Sequence, residues 1–102
     1  MKIDIVSLFK RRVQVLLKSP DPRFILFGSR ARGNAEEFSD YDILIITSQP
    51  EGEQKGTIED IESDIFFEYN AIINSHLLSE TEIRKLSFEP FIVNALKEGI
   101  AA

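Results

Sequence analysis

Four side chains and one bare Cα in this sequence have types and spacing that could handle a triphosphate: Ser29, Arg30, Asp40, Asp42 and Gly28. They sit in Leu26-Phe27-Gly28-Ser29-Arg30-Ala31-Arg32-Gly33 and, with ten residues between Ser29 and Asp40, in Asp40-Tyr41-Asp42-Ile43-Leu44-Ile45-Ile46. Gly28 lets backbone approach phosphate oxygens without a Cβ in the way, and it tolerates unusual φ. Ser29 is expected to cap a short following helix, with its hydroxyl and nearby N–H groups turned to phosphate. Arg30 and Arg32 can add charge-assisted contacts, and Arg30, next to the turn, is the expected phosphate ligand.

Asp40 and Asp42 stand at alternate positions where a strand begins, so both project from one face. Two residues span about 6.6 Å along a strand, and the carboxylate tips can converge. At about 4 Å their repulsion costs about 4 kcal/mol at an effective dielectric near 20. Mg²⁺ removes that cost and favours carboxylate oxygens together with substrate phosphates. Metal held by such a pair can activate an attacking hydroxyl and stabilise departing pyrophosphate. Tyr41, between them, should face the other side of the sheet and pack in the core.

The elements that must hold these groups are readable from periodicity. Val6, Phe9, Val13, Leu16 and Leu17 recur at helical spacing, and Pro20-Asp21-Pro22 predicts that this helix stops at Ser19. Arg23–Phe27 reads as a buried strand, Gly28–Gly33 as a turn with one helical turn, and Asn34–Ser39 as a polar loop. Tyr41–Thr47 reads as a second strand. Ser48–Gly56 is expected to be an exposed loop, followed by a helix with Ile58, Ile61, Ile65, Phe66 and Tyr69 on one face and Asn70 at its end. Ala71–Leu78 reads as a third strand, with Asn74 and His76 on one side. Ser79-Glu80-Thr81-Glu82 fits a capping box, Pro90 opens a last helix, and Gly99 follows its end. The expected class is α/β (α+β), a small mixed β-sheet flanked by helices in the order α-β-β-α-β-α-α.

The 102 residues suit one small domain, 1–102, and 43% hydrophobic content with eight Phe is enough for a core. No cysteine is present, which excludes disulfides and thiolate metal sites. The sequence shows no signal-peptide core at its start and no apolar run of membrane-spanning length, so a cytoplasmic protein is expected. Net charge is −5, and it is unevenly spread: residues 1–35 carry eight Lys or Arg against two acids, and residues 36–102 carry four against fifteen. The basic third contains the Gly-Ser turn, as an anionic substrate requires. An acidic chain without aromatic-basic interleaving is not expected to bind nucleic acid directly.

Gly28-Ser29-x10-Asp40-x-Asp42, within Gly-Ser-Arg-Ala-Arg-Gly…Ser-Asp-Tyr-Asp-Ile-Leu, resembles the minimal nucleotidyltransferase domains of the DNA polymerase β superfamily. Glu89-Pro90-Phe91-Ile92-Val93-Asn94-Ala95-Leu96-Lys97-Glu98-Gly99-Ile100 looks like their closing helix, so the resemblance spans nearly the whole chain. It implies a mixed sheet flanked by helices, Mg²⁺ held by Asp40 and Asp42, and a nucleoside triphosphate substrate, commonly ATP giving up AMP. It also implies a partner: many such domains are encoded beside a small helical HEPN protein and act as its antitoxin, in some systems by adenylylating a tyrosine. The family usually has a third carboxylate on the strand after the helix, near Asn74 here. An Asn can offer a carbonyl oxygen to metal but cannot serve as a base. His76 shares that face and could accept a proton through a water; a lone strand histidine is ordinarily structural, and it is not assigned a catalytic role.

Three functions are therefore weighed. The first is Mg²⁺-dependent transfer of a nucleoside monophosphate to a hydroxyl of a protein or small molecule. The second is a catalytically weakened nucleotide-binding module that neutralises a partner by contact. The third, antibiotic nucleotidylation, would need a homodimer to supply the acceptor site.

Overall fold

A computed structural model of the chain describes residues 3–17, 22–33, 35–36, 39–48 and 52–102. The elements run α1 (Ile5–Leu16), β1 (Arg23–Phe27), α2 (Ser29–Arg32), β2 (Tyr41–Ile46), α3 (Gly52–Tyr69), β3 (Ile73–Leu78), α4 (Glu80–Lys85), α5 (Pro90–Glu98) and β4 (Ile100–Ala101). The four strands form one mixed sheet in the order β3-β2-β1-β4. β1 is antiparallel to both β2 and β4, whereas β2 and β3 are parallel and joined through α3.

Strand alternation sorts the side chains into two cores. Phe24, Leu26, Ile43, Ile45, Ile73 and Leu77 face Phe9 and Val13 of α1 and Ile58 and Ile65 of α3. Phe27, Leu44, Ile46 and Leu78 face Ile83 of α4 and Ile92 and Ala95 of α5. Ile43, Leu44 and Ile45 are fully buried because β2 is covered on both faces. Tyr41 packs against the α1–α3 core, on the side away from Asp42.

The mixed sheet with flanking helices is as expected, but the order differs in two places. α2 counts as a helix of its own, and Ile100–Ala101 adds a short strand by pairing with Leu26 and Ile25. Two residues carry no strand periodicity, so nothing in the sequence marks β4. The expected loop over 48–56 is also shortened, since α3 already begins at Gly52. Glu53 sits in its first turn, and the Thr57 hydroxyl donates to the Glu53 carbonyl at 3.0 Å. Gly56, inside the helix, costs about 1 kcal/mol against Ala, which the rest of an 18-residue helix absorbs.

α1 ends at Leu16, with Leu17 extended; Ser19, Pro20 and Asp21 lie outside the described residues, as do Asn34, Glu37 and Phe38 of the polar loop. Asn70 adopts φ 54° and turns the chain from α3 towards β3, which starts at Ile73 rather than Ala71. The capping box forms: Glu82 N–H donates to Ser79 Oγ and Ser79 N–H to Glu82 Oε1, both at 3.1 Å. Among the described residues, no helix is long and apolar enough to cross a membrane.

Candidate functional site

β1 and β2 are antiparallel neighbours, so the residue that ends one lies beside the residue that opens the other. Phe27 pairs with Asp42, and Gly28 continues the chain past that pair. Gly28 has φ 76° and ψ −158°, a conformation that L side chains avoid, and it caps α2 from the backbone, with its carbonyl accepting from Ala31 and Arg32 N–H at 3.1 Å. A Cβ built on Gly28 would overlap Oδ2 of Asp42. The glycine thus serves two purposes: it makes the turn, and it leaves room for the carboxylate.

Ser29 is the first residue of α2 rather than its cap, and no side chain caps that helix. Its N–H, in the first turn, has no partner within the helix. Arg30 turns elsewhere. Its Nε and Nη2 donate to the Ser39 carbonyl at 3.2 and 2.8 Å, and its guanidinium lies 4.1 Å from the Tyr41 ring centroid. These contacts tie the α2–β2 connection together, so the arginine expected at phosphate is engaged with backbone and ring. Arg32 is the arginine whose charge reaches Asp42, and it is held by Glu98 of α5 at 3.0 Å.

Asp42 and Asn74 are direct partners in the parallel β2–β3 register. The Asn74 amide donates from Nδ2 to Asp40 Oδ2 at 2.7 Å, and its strand register places it directly across from Asp42. One amide therefore holds one carboxylate and stands beside the other. Burial is the largest influence on Asp42 and raises its pKa above the ordinary 3.8; the Asn74 amide opposes it, the Asp40 charge adds to it, and His76 and Arg32 oppose it. His76, two residues further along β3, stacks on Phe91 of α5 with centroids 4.3 Å apart. Burial lowers its pKa below the ordinary 6.5 against the pull of Asp42, which favours the neutral imidazole.

Asp40, Asp42, Asn74, the Gly28-Ser29 turn and Arg32 thus share the rim where β1 ends and β2 and β3 begin. Glu68 is taken by Arg12 of α1 at 3.1 and 3.2 Å and does not join them. Among the described residues no three His, Cys, Asp or Glu side chains gather as a metal cluster. The donor set, two converging carboxylates with an amide beside them, nevertheless suits Mg²⁺, which commonly takes one or two protein carboxylates and completes its shell with substrate phosphates and water.

A family model described as "Nucleotidyltransferase domain" matches residues 3–101. The chain belongs to that family. Members use nucleoside triphosphates and, in general, divalent metal ions, and their common chemistry is nucleotidyl transfer. The chain is 36% identical over 80 residues, 78% of its own length and 81% of the relative's, to a "putative protein adenylyltransferase" of Methanocaldococcus jannaschii. Its fold resembles the crystal structure of a "putative nucleotidyltransferase" from Sulfolobus solfataricus, with a TM-score of 0.57 and 17% identity over 94% of this chain and 74% of that one.

Two parts of this nucleotidyltransferase site went unread in the sequence. Glu98 anchors Arg32 from 66 residues away, and Phe91 braces His76. Neither contact has a local signal, because each depends on where α5 returns to the sheet.

Proposed function

We propose that this nucleotidyltransferase moves a nucleoside monophosphate, AMP from ATP, onto a hydroxyl of a protein partner. The observation that carries the proposal is the placement of Asp42: its carboxylate lies against Gly28, and it stands across from Asn74, which holds Asp40, so the phosphate turn and the acidic pair border one rim. The name borne by the Methanocaldococcus relative supports a protein as acceptor. The same name supports transfer of an adenylyl group, and so ATP as donor.

In this reading Gly28 and the Ser29 N–H receive the triphosphate, and Arg32, steadied by Glu98, offsets its charge. Asp40 and Asp42 would hold Mg²⁺, which neutralises phosphate oxygens when bound. The acceptor oxygen attacks the α-phosphorus, the bond from that phosphorus to the oxygen bridging to the β-phosphate breaks, and pyrophosphate leaves. The acceptor proton passes to solvent or, through a water, to His76, which burial keeps neutral. Asn74 orients the Asp40 carboxylate and takes no proton. A small helical HEPN-type protein is the partner the family pattern favours, with this chain as its antitoxin; a homodimer is the alternative assembly.

Labelled ATP, Mg²⁺ and the protein encoded next to this chain test the proposal directly. Label should appear on that protein and disappear with Asp42→Asn; no label from any nucleotide would sink the transferase reading.

Asn74 favours a second reading. Its amide already relieves the repulsion that metal would otherwise relieve, which suits a module that neutralises its partner by contact. A doubly substituted Asp40→Ala, Asp42→Ala chain decides between the two. Retained neutralisation means contact suffices.

A further inference from the structure

The end of α3 exposes aromatic surface that the fold does not use. Phe67 is 83% exposed, Phe66 42% and the following Ile72 44%. Phe66 and Phe67 meet edge to face, with centroids 5.8 Å apart and planes at 71°. With Glu62, Ser63 and Ile73 these three line an open groove of about 300 Å³. The groove is held in place from both sides. Ile65 of α3 is fully buried, and Tyr41 N–H donates to the Ile72 carbonyl at 2.8 Å. Exposed aromatics on a rigid element, clustered around a cleft, are the usual anchors of protein–protein contacts.

The charge around the groove selects the occupant. α3 carries six acids against one lysine; of these Glu62 lines the groove, Glu59 precedes it by about one turn, and Glu68 is paired with Arg12. Glu62, at the groove, accepts from the Ser75 hydroxyl at 2.9 Å, and burial together with the Glu59 charge works against its ionised form. A cation nearby would relieve both. A second copy of this chain docked face to face would instead bring two acidic helices together, which opposes self-association here.

We propose that the Phe66–Phe67–Ile72 groove docks a segment of a protein partner that carries an apolar anchor flanked by Lys or Arg, and that this docking brings the acceptor hydroxyl to the Asp40–Asp42 rim. The second half rests on the transferase reading above. Its geometric basis is that Ile72 lies two residues before Asn74, and Asn74 contacts Asp40. The groove lies on the α3 side of the sheet and the carboxylates on the α5 side, so a segment seated in the groove reaches them by passing over the start of β3, where Tyr41 N–H meets the Ile72 carbonyl.

Two synthetic peptides of equal length test this on the intact chain. Each carries a Leu-Phe anchor and one Tyr, flanked by Lys in one and by Glu in the other. Without nucleotide, the Lys-flanked peptide should bind, with amide NMR shifts centred on Phe66, Phe67 and Ile72. Phe67→Ser should weaken it at least tenfold while the melting curve stays in place, and added NaCl should weaken it further. Equal binding of the Glu-flanked peptide, shifts centred elsewhere, or unchanged affinity in Phe67→Ser overturns the proposal. So does a wild-type dimer in sedimentation that Phe67→Ser converts to monomer, which would make a second copy the occupant. With labelled ATP and Mg²⁺, Phe67→Ser should raise the KM for the Lys-flanked peptide and leave kcat unchanged. Peptide binding without any label transfer would remove the delivery role and count against the transferase reading, while the docking surface stands.

Discussion

The carboxylate of Asp42 rests against the bare Cα of Gly28, in space that any larger residue would claim. This contact joins the phosphate turn to the acidic pair, and it leaves no room for a side chain at Gly28. Gly28→Ala would meet two penalties. A φ of 76° with ψ −158° lies in a region nearly confined to glycine and costs an L residue about 1–3 kcal/mol, and the new methyl must displace Oδ2. Urea unfolding should show a loss of at least that size. Nucleotidyl transfer should fall further than stability explains, because the turn and the carboxylate can no longer share the rim. Wild-type transfer by Gly28→Ala would show that the contact is incidental.

Asp42 should be worth less to the fold than to the chemistry. Its pKa is raised, so the folded state favours the protonated carboxyl. That contribution is complete below the ordinary 3.8 and is lost as pH rises through the folded value, leaving an ionised, partly desolvated group at neutral pH. Asp42→Asn should accordingly melt higher than wild type near neutral pH without metal, with the difference shrinking below about pH 4. Transfer should drop at least about 100-fold, the scale on which removing one preorganised charge-handling group acts. Melting curves at several pH values and a label-transfer assay check the two halves separately.

His76 has the opposite dependence. Burial depresses its pKa, so its contribution to stability is present above the ordinary 6.5 and is lost as pH falls through the folded value. Urea midpoints measured from about pH 8 to pH 5 should fall for wild type and fall less for His76→Gln, which cannot protonate. Parallel curves for the two proteins would mean that Phe91 and Asp42 leave the imidazole as free to charge as in the unfolded chain.

How far the sequence revealed this site depends on the range of the contact. Gly28, Asp40 and Asp42 stand out because turn chemistry and strand alternation act over a few residues. β1 is readable to its ends, since Arg23–Phe27 is a short apolar run bounded by Pro22 and Gly28. Where tertiary contacts decide, local rules fall short. Ser29 looks like a cap until the Gly28 backbone takes that place, and Arg30 looks free until Ser39 and Tyr41 engage it. Phe66 and Tyr69 fit the apolar stripe of α3, but the helix runs past the sheet's cover and leaves them in solvent. β4 depends wholly on α5 returning the chain to β1.

Asn74 gives the sharpest remaining test, because it stands across from Asp42 and holds Asp40 at 2.7 Å. Asn74→Asp keeps the size and replaces the donating amide with a third acceptor. Without metal, three carboxylates would then crowd one rim. Each close pair costs about 4 kcal/mol at 4 Å and an effective dielectric near 20, reduced here by solvent. The variant should therefore melt lower than wild type in chelator, and the deficit should grow from acid to neutral pH as the carboxylates ionise. Mg²⁺ should raise its melting temperature more than that of wild type, since a third oxygen ligand binds the ion more tightly. If the site transfers nucleotides, the added carboxylate also supplies a base next to the acceptor, and the Mg²⁺-dependent rate should rise. Thermal melts with and without Mg²⁺, followed by label transfer at equal protein concentration, separate the effects. A variant that gains metal stabilisation but no rate would favour the contact-only reading, and one that gains neither would show that the Asp40–Asp42 rim does not hold metal.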